Sequence, residues 1–301
     1  MEKPRIFAGT EWPTVAMLGA CYAAWAISCA FYQEFGAILF VLITAPLVTL
    51  HSSLQHEALH GHPTRSAAFN EALVFAPLGL LFPYRRFKAL HLKHHSDSSL
   101  TDPYDDPESF YYALGDRQKL PGWMQKILDF NNTFLGRFTV GPLVMFVGFA
   151  ARDMQLMQDG DRKVMLAWAW HSLGIVAVLT WSWGIGGVPP ALYLATAYLG
   201  LSILNVRTFA EHQAHEAPGG RTVIVEASPF FGLLFLNNNL HYVHHEHPRV
   251  PWYKLPALYR SRRGEFLAAN ESYSFSGYGE MIRRYLFRAK TPVPHPILRR
   301  S

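Results

Sequence analysis

Residues 36–60 read GAILFVLITAPLVTLHSSLQHEALH. From Gly36 to Leu54 this stretch holds no Asp, Glu, Lys or Arg. On a helix rising about 1.5 Å per residue, that length suffices for roughly 30 Å of hydrocarbon. Its end, His56-Glu-Ala-Leu-His60, sets two imidazoles four residues apart, so a helix carries both on one face. An apolar span that delivers a histidine pair to its border predicts both a membrane fold and a site at the border.

Three further stretches have the same character: Pro13 to Tyr32, Val164 to Ile185 and Pro189 to Val206. Only helices satisfy their own backbone in lipid without closing a barrel, so all four are read as helices. The Lys and Arg distribution orients them. Two precede the first span (Lys3 and Arg5), twelve fall between Leu54 and Val164, and thirteen follow Val206. The short connections Gln33–Phe35 and Gly186–Val188 have none. The positive-inside rule then places both termini and the long middle segment in the cytoplasm. The expected fold is an all-α integral membrane protein, multi-pass, with two transmembrane hairpins and a cytoplasmic helical cap. An integral membrane location is expected. Shorter apolar patches at Ala72–Phe82, Phe138–Phe149 and Pro229–Leu236 are read as interfacial or re-entrant helices.

Composition supports this reading. Of 301 residues, 50% are hydrophobic and 16% charged, against about 25% charged in a typical soluble domain. No Ser/Gly/Pro-rich linker or repeat divides the chain, so one domain over residues 1–301 is expected. The net charge of +5 fits an anionic membrane surface; no base-stacking module points to nucleic acid. Cys21 and Cys29, eight residues apart on one helix, would lie about 12 Å apart. That is too far for a disulfide, and they are read as small apolar helix residues. A first apolar run this long, followed at once by a second, does not read as a cleaved signal peptide.

Ten of the fifteen histidines fall in three groups: His56, His60 and His62; His91, His94 and His95; His241, His244, His245 and His247. HxxHH occurs twice, at His91-Leu-Lys-His94-His95 and His241-Tyr-Val-His244-His245. On a helix, positions i, i+3 and i+4 share a face. Imidazole suits iron, copper, zinc and nickel, and eight ligands exceed what one ion needs. Two metals are expected.

The set HxxxH, HxxHH, HxxHH resembles the membrane-bound fatty acid desaturase superfamily, which includes related hydroxylases and carotenoid ketolases. The resemblance runs from about His51 to Pro248, and the segments around His56 and Asn237 look like bacterial acyl desaturases. It implies four membrane helices, cytoplasmic histidines and a di-iron centre. The implied ligands are His56, His60, His91, His94, His95, His241, His244 and His245. A ninth, isolated histidine near the end of the fourth span is carried onto His212, and an asparagine acting through a metal-bound water onto Asn237, with Asn238 as the fallback. Ligating imidazoles usually donate their other N–H to a carboxylate or carbonyl; Glu57, Asp97, Asp102 and Glu211 are the candidates. The run Asp102–Glu108 is otherwise read as a solvated, Pro-punctuated loop. His51 and His295 are read as structural or tail residues. His171 is read as a helix–helix hydrogen bond or a functional group at membrane depth.

The implied reaction is O2-dependent desaturation of an acyl chain on a membrane lipid or acyl thioester. Two Fe2+ ions carry the oxidation, because no side chain can break an unactivated C–H bond. The alternative on the same scaffold is hydroxylation or ketolation of a lipid or carotenoid. A metal-transport protein is disfavoured because no ionisable pairs thread the spans, and zinc hydrolysis is a further reading of the same cluster. The sequence contains no GxGxxG fingerprint and no CxxCH. A separate ferredoxin or cytochrome b5-type electron donor is therefore implied. Arg260, Arg262, Arg263, Arg283 and Arg284 can steer an acidic donor or anchor the chain at the membrane surface.

Overall fold

The computed structural model describes residues 9–96 and 99–297; Lys3, Arg5 and Asp97 lie outside the described residues. In chain order the helices are α1 Trp12–Ala30, α2 Tyr32–Leu59, α3 Ala67–Leu73, α4 Tyr84–Ser96, α5 Leu114–Lys119, α6 Gly122–Asn131, α7 Phe134–Thr139, α8 Gly141–Gln158, α9 Arg162–Leu179 and α10 Pro190–Glu211. Then come β1 Ile224–Val225, α11 Pro229–Leu234, α12 His241–Glu246, α13 Leu255–Ser261, α14 Arg263–Ala269, β2 Ser274–Phe275 and α15 Tyr278–Tyr285. The chain packs as two compact units. Residues 1–88 and 146–204 form the first; residues 89–145 and 205–301 form the second.

The first unit holds the apolar hairpins. Pro13 sits in the first turn of α1, where its missing N–H costs nothing. Gly36 adopts φ +71°, ψ 170°. This conformation is open to glycine, and it breaks the merged helix where the sequence places the first outer turn. The second turn follows α9 through a wider π-turn at Thr180–Ile185 and Gly187 at φ +68°. Among the described residues, three helices are long and apolar enough to cross a membrane: Trp12–Ala30, Tyr32–Leu59 and Arg162–Ile185. The fourth expected span is helical, as α10, but falls outside that group. Its stretch carries Tyr193, Thr196, Tyr198, Ser202, Asn205 and Arg207, which lower its hydropathy. The shorter patches also become helix in part: α3 leads into the first, α8 extends the second to 18 residues, and α11 covers the third.

Packing inside this unit uses small residues and internally satisfied polar groups, as helices do where lipid offers no partners. Trp25, Cys29, Phe40, Val48, Leu78, Tyr193 and Ala197 form its core. Trp25 Nε1 donates to Tyr193 Oη at 2.9 Å, and that hydroxyl donates to Leu78 O at 3.2 Å. Thr49 Oγ1 donates to Gly200 O at 2.7 Å. Both cysteines are free and buried. A Cβ on Gly200 would stand 2.6 Å from Val48 Cβ and 2.8 Å from the Ala45 carbonyl oxygen. Backbone cannot yield as a side chain can. Gly200→Ala should therefore destabilise by about 1–3 kcal/mol, read as a lower thermal midpoint in detergent. Gly19→Ala, where nothing lies within 4 Å of a new Cβ, should not lower it.

The second unit is built from short helices around a two-residue parallel pairing of β1 with β2. Its apolar cluster joins Ile224, Leu240, Tyr242, Val243, Leu255, Tyr259 and Phe266. The segment after α15 runs back as a strap. Lys290 N donates to Asn132 O at 3.0 Å, Tyr112 N donates to Val293 O at 3.0 Å, and His295 N donates to Tyr112 O at 2.9 Å. His295 Nε2 lies 3.1 Å from Thr101 Oγ1, so this histidine closes the strap onto the segment after α4.

Candidate metal centre

Seven expected ligands belong to the second unit. His91, His94 and His95 ride on α4, His212 follows α10, and His241, His244 and His245 ride on α12. They do not form one row. Ligand atoms of His94, His212, His241 and His245 lie within 4.8 Å of one another, and those of His91, His95 and His244 likewise gather together. Neighbours in a helix point about 100° apart. Each His-His doublet therefore splits: His94 and His245 go to the first group, His95 and His244 to the second. The stacked rings of His95 and His245, 4.1 Å between centroids, mark where the groups adjoin.

The first group has a feature that hydrogen bonding alone does not explain. His94 Nε2 lies 3.0 Å from His212 Nε2, His212 Nε2 lies 3.1 Å from His241 Nε2, and His241 Nε2 lies 3.1 Å from His245 Nε2. The opposite nitrogens fix the tautomers. His94 Nδ1 lies 2.8 Å from the Asp106 carboxylate, His212 Nδ1 3.3 Å from Arg221 O, and His241 Nδ1 3.0 Å from Asn238 Oδ1. These partners only accept, so each Nδ1 carries the proton and each Nε2 presents a lone pair. Three lone pairs facing one another at this distance repel unless a cation stands among them. Two nitrogens bound at about 2.1 Å and at right angles around one ion would lie about 3.0 Å apart. The donor set fits a transition metal held by imidazole, and both clusters are compatible with iron.

Electrostatics agree with that role. Burial holds the imidazoles of His212, His241 and His245 well below their ordinary range, and neighbouring rings add to it. Metal ligands must be neutral imidazole, and this environment favours that form. Burial alone would also lower His94; its bond to Asp106 and the nearby Glu108 outweigh this and raise it. In the second group, His91 Nδ1 lies 2.9 Å from Glu108 Oε1. Burial would raise the Glu108 carboxyl, but His91, then His94 and His95, hold it down to about 2.

The acidic run after α4 corrects the sequence reading. It is Pro-punctuated, but Asp102 and Asp106 are buried, and Asp106 and Glu108 grip histidines. Asp106 Oδ2 also accepts from Thr101 N at 2.8 Å, so part of the run folds onto the ligands while Tyr104 faces solvent. Asp102 closes its own turn on Tyr104 N and Asp105 N, at 2.8 and 3.2 Å. Glu211 lies 3.6 Å from His241 Nδ1 and is ion-paired to Arg207 at 2.8 Å. Of the asparagines, Asn238 holds His241; Asn237 instead donates from Nδ2 to Trp252 O at 3.0 Å.

Lys290 carries no motif and escapes sequence reasoning. Its Nζ donates to His212 O at 2.6 Å and to Tyr273 Oη at 3.2 Å, with the rings of Phe110, Phe209 and Tyr273 around it. Burial, then repulsion from Arg137, holds it well below the ordinary lysine range. The strap thus supports the isolated histidine from beneath.

The other expected residues are placed as follows. His56 and His60 lie at the end of α2 in the first unit, their ring centroids 4.8 Å apart. Glu57, between them, is buried and has ligand atoms within 4.8 Å of those of Glu11 and His62. His62 Nδ1 lies 2.8 Å from Glu11 Oε1. His51 Nε2 meets Tyr22 Oη at 2.8 Å, and His171 Nε2 meets Leu80 O at 2.8 Å; both tie segments of the first unit together. His215 Nδ1 lies 3.1 Å from Ala217 O, and His247 rests edge-on against Phe266.

With this geometry in view, the comparisons with known sequences are specific. The sequence pattern described as fatty acid desaturase matches residues 35–277. No curated protein matches the chain.

Proposed function

The chain belongs to the fatty acid desaturase family, and from that premise we propose that it is an O2-dependent di-iron desaturase acting on an acyl chain of a membrane lipid or acyl thioester. Membership itself gives a lipid-oxidising enzyme of the membrane. The finer reading rests above all on the convergence of His94, His212, His241 and His245, whose Nε2 atoms follow one another at 3.0–3.1 Å. The second ion would be held by His91, His95 and His244, with His56 and His60 supplied by the first box as the sequence pattern implies.

Two ferrous ions with O2 supply an oxidant able to break an unactivated C–H bond. The protein's residues do the positioning. Asp106, Glu108, Asn238 and the Arg221 carbonyl keep protons on the outer nitrogens, so the inner ones remain ligands. The overall change is the loss of two hydrogens from adjacent methylenes, with O2 reduced to two waters by two further electrons and two protons. A ferredoxin or cytochrome b5-type donor provides those electrons. In this reading the chain has four spans, with α10 as the last. Both termini and the histidine boxes are cytoplasmic, as the Lys and Arg distribution indicates, in a bacterial inner membrane.

Mass spectrometry of lipids from expressing cells tests the reaction. Desaturation predicts acyl chains lighter by two hydrogens, absent in cells carrying His244→Ala. A gain of one oxygen atom in place of that loss would assign hydroxylation. No lipid change with an iron-loaded enzyme and a working donor would overturn both.

A further inference from the structure

A cavity of about 450 Å³ opens in the second unit beside the third histidine box. Its wall includes Asn237, Asn239 and Leu240, the residues that lead into His241. The wall is mostly apolar, with Pro229, Leu233, Leu240, Trp252 and Pro256. On the adjoining helix α11, Phe230 is 65% exposed and Leu233 49%. A soluble face rarely leaves such side chains uncovered side by side.

The charges in the wall are unequal. Glu226 is neutralised: Arg263 Nε donates to it at 2.6 Å, Arg263 Nη2 at 3.1 Å and Tyr259 Oη at 2.7 Å. Arg260, also in the wall and exposed, has no carboxylate partner among the described residues. Asn239 is 5% exposed, donates from Nδ2 to Val225 O at 2.7 Å, and leaves Oδ1 without a donor. The cavity therefore offers an apolar lining, one uncompensated cation and a buried acceptor.

We propose that this cavity binds the anionic head and first methylenes of an acyl amphiphile, with Arg260 as the residue that selects the negative charge. The proposal rests on the lipid-oxidising reading and adds to it the class of head group and the place where it is held. A guanidinium pairs with phosphate or carboxylate oxygens in a two-pronged contact, and Trp252 and Leu233 cover the adjoining methylenes. A membrane phosphodiester lipid and a soluble acyl thioester with phosphates share this chemistry.

Binding should be measured by titration calorimetry on the full-length enzyme in neutral detergent. The probes are dioctanoyl phosphatidylglycerol, dioctanoyl phosphatidylcholine and palmitoyl-CoA. Wild type should bind at least one anionic probe about tenfold or more tightly than the zwitterionic one; which of the two binds identifies the source. Arg260→Glu should weaken that binding at least about tenfold, and Leu233→Asp should weaken it as well. Both positions are exposed, so iron content should be unchanged in each variant. In turnover, Arg260→Glu should raise KM and leave kcat unchanged. Equal affinity for the zwitterionic and anionic probes, binding of none, or unaltered binding in Arg260→Glu would overturn the proposal. Head-selective binding by an enzyme that oxidises no lipid would instead overturn the functional reading and leave the cavity's role standing. Lipid oxidation with an unchanged KM in Arg260→Glu would do the reverse.

Discussion

His212→Ala is expected to abolish turnover and to remove about one of the two proposed irons, while the protein still inserts in the membrane at normal levels. His212 Nε2 faces both His94 Nε2 and His241 Nε2, so it stands between two other members of its group. Its loss leaves three imidazoles and opens the middle of the set. Removing an outer partner of a ligand typically costs about 10–100-fold; removing the ligand itself should cost more than that in turnover. His215→Ala is the control. Among the described residues its ring bonds to its own turn at Ala217, and activity should stay within a few-fold. Iron content by elemental analysis and product by lipid mass spectrometry read both variants. Full activity in His212→Ala would remove this histidine from the site.

The second large effect concerns Asp106. Its Oδ1 meets His94 Nδ1 at 2.8 Å and Glu108 N at 2.9 Å, and its Oδ2 meets Thr101 N at 2.8 Å. Asp106→Ala removes all three hydrogen bonds. His94 is then free to carry its proton on Nε2, where it no longer binds metal. The expected result is about 10–100-fold weaker iron retention against a chelator, with a matching fall in activity. Asp106→Asn should be milder. Its amide oxygen can still accept from His94 and Glu108 N, giving up only the Thr101 bond. If both variants lose iron equally, the carboxylate's charge matters rather than its hold on the tautomer. If neither loses iron, Asp106 only shapes the loop.

These two residues also show what a sequence can reveal about this site. His94 was legible because helix periodicity acts over one turn, and i, i+3 and i+4 spacing is visible in the letters. His212 was legible only through family resemblance, since nothing local marks it. Asp106 stands twelve residues from its partner, and the loop between must close before they meet. A solvated loop and a folded-over one have the same composition. Lys290 is farther still, 78 residues from His212, and reaches it through the strap pinned to Asn132 and Tyr112. The turns were legible at Gln33–Phe35 and Gly186–Val188 because a break between two apolar runs is a local feature of the letters. The polar character of α10 was also in the letters: Thr196, Ser202 and Asn205 are buried, so this helix is shaped for protein contacts as much as for lipid.

The splitting of the doublets has one more consequence. His94 and His95 share a peptide bond, as do His244 and His245, yet each pair serves two different groups. A displacement of α4 or α12 that tightens one group must move ligands of the other. Distorting one group would therefore be felt at the other, and metal binding at the two proposed sites would be coupled in free energy. The short helix α12, six residues long, carries ligands of both groups and would transmit such a displacement between them.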